Sequence, residues 1–205
     1  MKIRPYISVD VESTGIDVNN DKILQLAMVF DDGVSSLDSL HTVSFLVNPE
    51  SEEFHGRIQP VALSMNAWIF DSIAGKTKSK YPVYEPAEAR KIFNAEIRDF
   101  FYKVLNKDAR TKEDKTKKIM FAGKNLQGFD LLLMKSNGYF TSENQKYRGT
   151  RALDVGPLYF PEFGYVPCLG EINKITQGTN EVSHDALDDA FDVVMAVRHK
   201  AGMFT

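Results

Sequence analysis

From Tyr6 to Val11 the residues are β-branched and alternating, and a period of two predicts a strand that ends in the Ser13-Thr14-Gly15 turn. Ile23 to Phe30 is a nearly continuous apolar run, which predicts a second, buried strand before the hairpin-like turn Asp31-Asp32-Gly33. Leu40 to Val47 predicts a third strand, stopped by Asn48-Pro49. Three strands with short links predict an antiparallel meander. The period then changes. Pro60 to Phe70 has helical apolar spacing, and residues 71–86 read as a Gly/Lys/Pro-rich loop or arm. Ala87 to Leu105 predicts a long amphipathic helix, with Phe93, Ile97, Phe100 and Phe101 recurring at three- and four-residue steps. A polar link at 107–118 carries six basic against three acidic residues. Beyond it come a buried strand at Lys118–Ala122, a helix at Gly128–Ser136 and a loop containing Arg148 and Arg151. A short strand around Ala152–Val155 and two helices at Tyr165–Thr176 and Asp185–Gly202 complete the pattern. Strands first, then alternating helix and strand, predict a single α/β layered domain over residues 1–205, with a mixed sheet and with 71–86 and 107–118 as insertions.

Composition narrows the partners. At 43% hydrophobic and 26% charged, the chain is neither disordered nor a coiled coil or collagen as a whole. The formal charge of −3 supplies no global field for a polyanion, so a nucleic acid would have to be met by a local basic patch or by bound cations. One cysteine, Cys168, allows no internal disulfide. Met1 to Val11 reads as the start of a strand and not as a secretory leader, and the longest apolar runs are far short of a membrane span. The expectation is a cytoplasmic protein with no membrane partner.

Three groups of residues carry candidate chemistry. Asp10 and Glu12 stand two apart on the first strand, so both carboxylates share one face while Val9 and Val11 take the other. A strand that aims two acids the same way suffers desolvation and like-charge repulsion, which a divalent cation would relieve. The alternative is an edge strand with two solvated acids. Asp130 lies just past a buried strand at the start of a helix, a place suited either to metal ligation or simply to the helix dipole. In Ser183-His184-Asp185-Ala186-Leu187-Asp188-Asp189-Ala190, Asp189 falls at the edge of the last helix's apolar stripe, whereas Asp188 and Asp192 fall near the solvated side. His184, just before the first turn, is placed to accept a proton from water, or else to sit as a capping-zone histidine beside a surface acid.

Read in order, D-x-E on the first strand, F-D at a strand-to-helix junction and H-D-A-L-D-D-A on the last helix form a series that resembles the DEDDh branch of the 3′→5′ exonucleases. RNase T, oligoribonuclease and bacterial proofreading subunits belong to that branch. The resemblance runs from Ile7 to about Arg198 and implies an RNase H-like three-layer fold, a mixed central sheet flanked by helices. It implies that Asp10, Glu12, Asp130 and Asp189 ligate two divalent cations, Mg²⁺ or Mn²⁺, and that His184 is the general base. Hard oxygen ligands suit those ions and not zinc. The implied substrate is the 3′ end of single-stranded DNA or RNA, shortened with release of nucleoside 5′-monophosphates. Ser13, Thr14, Gly15, Ile16 and Asn125 are the implied substrate-binding residues, with the backbone at Gly15 approaching the terminal 3′ hydroxyl and Ile16 packing on the terminal base. Phe129, Met65 and Trp68 are read as core packing.

The second motif, G-K-N-L-Q-G-F-D, sets Asn125 one residue further from the acid than in the common H-N-x-x-F-D. Within the class, a DNA exonuclease, proofreading with a polymerase partner or free-standing, competes with an RNA-trimming exoribonuclease, whose relatives are commonly homodimers. A non-catalytic replisome-docking subunit of the same fold is the alternative outside it. Lys76, Lys78, Lys80, Tyr81 and Tyr84 in the arm combine cations with aromatics, as single-strand binders do, although a charged loop is more often simply solvated.

Overall fold

The computed structural model describes residues 3–49, 58–104 and 118–203. The first three segments form the expected meander of β1 (Tyr6–Ser13), β2 (Ile23–Asp31) and β3 (His41–Val47), each antiparallel to the one before it. Two short helices, α1 (Pro60–Met65) and α2 (Ala67–Ile73), lead to a two-residue strand, β4 (Val83–Tyr84), and to the long helix α3 (Pro86–Val104). Then follow β5 (Ile119–Gly123), α4 (Asp130–Ser136), β6 (Arg148–Asp154), the single turns α5 (Val155–Leu158) and α6 (Phe160–Phe163), α7 (Leu169–Thr176) and α8 (Ala186–Lys200). The sheet order is β4-β3-β2-β1-β5-β6, with β1, β5 and β6 mutually parallel.

Every residue of β2 is buried, which explains its unbroken apolar run: it lies inside the sheet with helices on both faces. On one face Val9, Val11 and Leu26 pack with Phe93 and Ile97 of α3 and Leu133 of α4. On the other, Ala27 and Val29 pack with Ile172 of α7 and Val193 and Val197 of α8. A buried bidentate pair, Arg198 to Asp31 at 2.8 Å for each bond, ties the last turns of α8 to the end of β2. The result is the three-layer α/β domain with a mixed sheet that the pattern predicts.

The departures have local causes. The helix expected over Pro60–Phe70 is two helices, broken at Asn66, whose side chain turns inward and donates to the Ser13 carbonyl at 3.1 Å. The expected loop at 71–86 begins with the end of α2 and contains β4, which pairs in parallel with β3 through Leu46–Val83 and Val47–Tyr84. The helix expected over Tyr165–Thr176 begins only at Leu169, and β6 begins at Arg148, earlier than expected. Phe129 packs against the core, and Trp68 is half-buried against Leu24, Leu46 and Ile69. Met65 does not pack as expected: it is 41% exposed, because α1 buries none of its side chains. The basic link at 107–118 lies outside the described residues, apart from Lys118.

Candidate active site

Parallel pairing brings the carboxyl ends of β1, β5 and β6 to one edge of the sheet, the usual place for a site in α/β folds. Asp10 and Glu12 stand on β1 there, on the face opposite the buried Val9 and Val11. Asp130 opens α4 beyond the end of β5 and is buried, and the Val11 backbone N–H donates to its carboxylate. Asp189, in the first turn of α8, is also buried, and its carboxylate accepts from the Ser183 backbone N–H. One ligand atom each of Glu12, His184 and Asp189 lies within 4.8 Å of the others. His184 itself is exposed, in the left-handed region at φ 52°, a conformation a non-glycine residue holds only when its surroundings impose it.

The electrostatics are those of acids crowded out of water. Burial pushes the Asp10 carboxyl well above the usual carboxylate range, and the charges of Asp130, Asp189, Glu12 and Asp185 add to it. Burial and the charge of Asp189 push Glu12 up to about 8, against a hydrogen bond from Asn66 that pulls it down. Burial raises Asp130 to about 7, opposed by backbone N–H bonds and reinforced by Asp154. Burial, then Asp192 and Asp188, raise Asp189 to about 7. Asp189 Oδ1 is buried with no hydrogen-bond partner among the described residues. An orphaned buried oxygen amid mutually repelling carboxyls fits a divalent cation, which would satisfy the oxygen and cancel the repulsion. All the carboxylate donors are hard oxygens, the set preferred by Mg²⁺ and Mn²⁺.

The predicted substrate-side residues are placed less uniformly. Ser13 Oγ donates to the Gly15 carbonyl at 2.6 Å, and Thr14 Oγ1 donates to Asp21 Oδ1 and accepts from the Lys22 N–H, both at 2.9 Å. Their side chains therefore build the turn. At Gly15 a Cβ would sit 2.5 Å from Asp21 Oδ2 and from the end of the Gln59 side chain, so a larger residue there would displace those two side-chain ends. Ile16 is 79% exposed and free to meet a ligand. Asn125 is exposed at φ 56°, its carbonyl accepts from the Gly128 N–H, and no hydrogen bond joins its side chain to the five acidic and histidine residues.

Gln25, Asp185 and Asp154 near the site were not singled out by the sequence. Gln25 lies directly across from Glu12 on β2; it donates to Asp185 Oδ1 at 2.9 Å and accepts from the Ala186 N–H at 3.1 Å. Asp185 caps α8 through the Leu187 N–H and also accepts from Lys80 Nζ at 3.0 Å and from the Tyr81 hydroxyl at 2.9 Å. These bonds hold its carboxyl below the usual range despite burial. Lys80, though exposed, and the half-buried Tyr81 therefore attach the arm to α8. Asp154, at the carboxyl end of β6, is a further acid near Asp130, and its strand position was the available signal. Asp188 is exposed, as the helical wheel predicts, but Asp192 is half-buried and accepts from Gln177 Nε2 at 2.7 Å.

No known family profile and no curated protein sequence matches the chain. Solved structures do. An exonuclease I from Methylocaldum szegediense aligns over 96% of this chain with a TM-score of 0.60 and 15% identity. The zinc-bound form of an E. coli ExoI–ssDNA complex aligns over 98% with a TM-score of 0.58 and 15% identity. E. coli Exonuclease I in complex with a dT13 oligonucleotide aligns over 98% with a TM-score of 0.61 and 12% identity. The fold is RNase H-like. The chain spans 41–42% of the length of these neighbours. Among the described residues, no helix is long and apolar enough to cross a membrane.

Proposed function

We propose that the chain is a divalent-metal-dependent 3′→5′ exonuclease that hydrolyses the terminal phosphodiester bond of single-stranded nucleic acid. The observation that carries this is the convergence of Asp10, Glu12, Asp130 and Asp189 with His184 at one sheet edge, where burial raises all four carboxyls and leaves Asp189 Oδ1 without a partner. Solved structures of the same fold include E. coli Exonuclease I bound to single-stranded DNA and to a dT13 oligonucleotide.

Asp10, Glu12, Asp130 and Asp189 would hold two ions, Mg²⁺ or Mn²⁺. The chemistry the ions supply is charge stabilisation on the attacking and leaving oxygens of an in-line displacement at phosphorus. His184, exposed at the mouth, takes the proton from the attacking water. The water oxygen bonds to phosphorus, the bond from phosphorus to the 3′ oxygen breaks, and the products are a nucleoside 5′-monophosphate and a strand one residue shorter with a free 3′ hydroxyl. Ile16 beside the Ser13–Gly15 turn, and Met65 on α1, offer exposed apolar contacts to a terminal base. α1 is brought to that turn by the Gln59 N–H to Thr14 carbonyl bond and by the Asn66 to Ser13 bond. A base must leave the stack to reach them, which favours single strands.

The test is digestion of 5′- and 3′-labelled single-stranded DNA and RNA of one sequence with Mg²⁺, with Mn²⁺ and with EDTA. Stepwise loss from the 3′ end that EDTA stops is the expected result, and the faster sugar decides between a DNA exonuclease and an RNA-trimming enzyme. No shortening of either polymer in either metal would overturn the proposal in favour of a non-catalytic docking subunit.

A further inference from the structure

The pole of the sheet opposite the candidate active site carries a second feature. Where β5 and β6 begin and the chain approaches β1, a groove of about 690 Å³ opens, lined by Arg4, Lys118, Gln145, Arg148, Thr150 and Arg151 among others. Among the described residues that line it, four are cations and none is Asp or Glu, in a chain whose acids outnumber its bases. The concentration is local and of one sign. Arg4 and Arg151 are exposed, and among the described residues neither is held in an ion pair or hydrogen bond.

Arg148 is the anchor. Its guanidinium carbon sits 3.8 Å from the centre of the Phe140 ring, which fixes the plane of the group. Its Nε is buried and has no hydrogen-bond partner among the described residues, and burial lowers its pKa. The side chain as a whole is only part-buried and lines the groove, and a guanidinium's planar fork matches the oxygens of a phosphate. The β5–β6 ladder slips between Ile119–Arg148 and Phe121–Ala152, so Gly149, Thr150 and Arg151 bulge opposite Met120 at the sheet's outer edge. The bulge adds polar groups to the groove and turns Arg151 outward.

We infer that this groove binds the phosphodiester backbone of the nucleic-acid substrate upstream of the 3′ end held at Asp10, Glu12, Asp130 and Asp189. The inference rests on the exonuclease reading for its substrate. The spacing sets a length threshold. Pro5 lines the groove and Asp10 lies five residues along β1, roughly 17 Å away at about 3.3 Å per residue. That span runs through the sheet, and a bound strand must travel further to pass around the helices packed on its two faces. Oligomers shorter than this path engage the catalytic edge alone, whereas longer ones reach both.

The experiment compares the wild type with Arg4→Ala/Arg151→Ala, two exposed positions, and with Arg148→Ala, all checked for folding by thermal melting. Binding of a single-stranded 20-mer is measured in EDTA across a salt series, and turnover of a trimer is measured with Mg²⁺. For the double variant the expected result is a severalfold loss of 20-mer affinity, a salt slope reduced by about 1.4 at about 0.7 per lost contact, and unchanged trimer kcat/KM. Arg148→Ala, if folded, adds to the loss. Unchanged 20-mer affinity and salt slope in the double variant would overturn the inference, as would equal losses on trimer and 20-mer. Binding in EDTA does not depend on turnover. A chain that binds the 20-mer through these arginines and cleaves nothing would refute the nuclease reading while leaving the groove standing.

Discussion

At the residue scale the proposed chemistry falls to His184 and Asp189. One ring nitrogen of His184 lies within 4.8 Å of a carboxylate oxygen of Glu12 and of Asp189, and in the proposed reaction a general base there contributes about 10²–10⁴-fold to a proton-transfer step. His184→Ala is therefore expected to slow single-turnover cleavage by that factor while substrate binding in Ca²⁺ stays at the wild-type level. Lost binding with intact turnover of the bound fraction would remove the base role. Asp189 makes a different prediction. A carboxyl raised to about 7 in the folded chain binds a proton that the unfolded chain has already released above about pH 4. Its contribution is complete at low pH and is lost as pH rises through about 7, so its charge destabilises the metal-free fold most at neutral pH and above. Asp189→Asn removes that charge. Its melting temperature without metal should exceed the wild type's by a margin that widens from about pH 5 to about pH 8. A margin that stays constant or shrinks would contradict the burial argument. Asp189 was legible in advance because a helical wheel places it beside the apolar stripe. Gln25 was not, because its meaning depends on lying across from Glu12, and strand register is absent from a one-dimensional pattern.

The element scale turns on the start of α8. Its cap, Asp185, is held by Gln25 from the sheet and by Lys80 and Tyr81 from the arm, so one carboxylate ties two separate parts of the chain to the helix that carries Asp189. Losing a cap that is also a charged acceptor for buried donors costs about 2 kcal/mol. Asp185→Ala should show a loss of that order in urea unfolding, and Tyr81→Phe a smaller loss in the same direction. No change in either would mean that the arm is merely laid against the helix. The arm is also where sequence reading fell short. Its lysines and tyrosines look like a solvated or strand-binding loop, and only the fold shows that Lys80 and Tyr81 are spent on Asp185. The break at Asn66 was hidden for a similar reason: the apolar spacing continues through it, and the inward bond to the Ser13 carbonyl decides the geometry. The meander, the long α3 and the terminal α8 were all legible because periodicity alone specifies long, one-sided elements.

Across the whole molecule, the net charge of −3 conceals two opposed poles. The carboxyl edge of the sheet gathers Asp10, Glu12, Asp130, Asp154 and Asp189, and the amino edge gathers Arg4, Lys118, Arg148 and Arg151. Parallel pairing of β1, β5 and β6 produces both gatherings at once, since it aligns distant segments with like ends together. The acidic pole was legible, Asp154 apart, because Asp10, Glu12, Asp130 and Asp189 sit in ordered motifs. The basic pole was not, because Arg4 and Arg151 stand 147 residues apart and share no motif. A site of this kind has to bind cations before it can bind a phosphodiester.

Calorimetric titration of the metal-free chain with Mn²⁺ near neutral pH, in buffers of different ionisation enthalpy, tests that requirement most directly. The account predicts uptake of two ions per chain with net proton release, because carboxyls raised to about 7 and about 8 must deprotonate to ligate, and loss of at least one ion in Asp189→Asn. No uptake by the wild type, or the same uptake and proton release in Asp189→Asn, would contradict it.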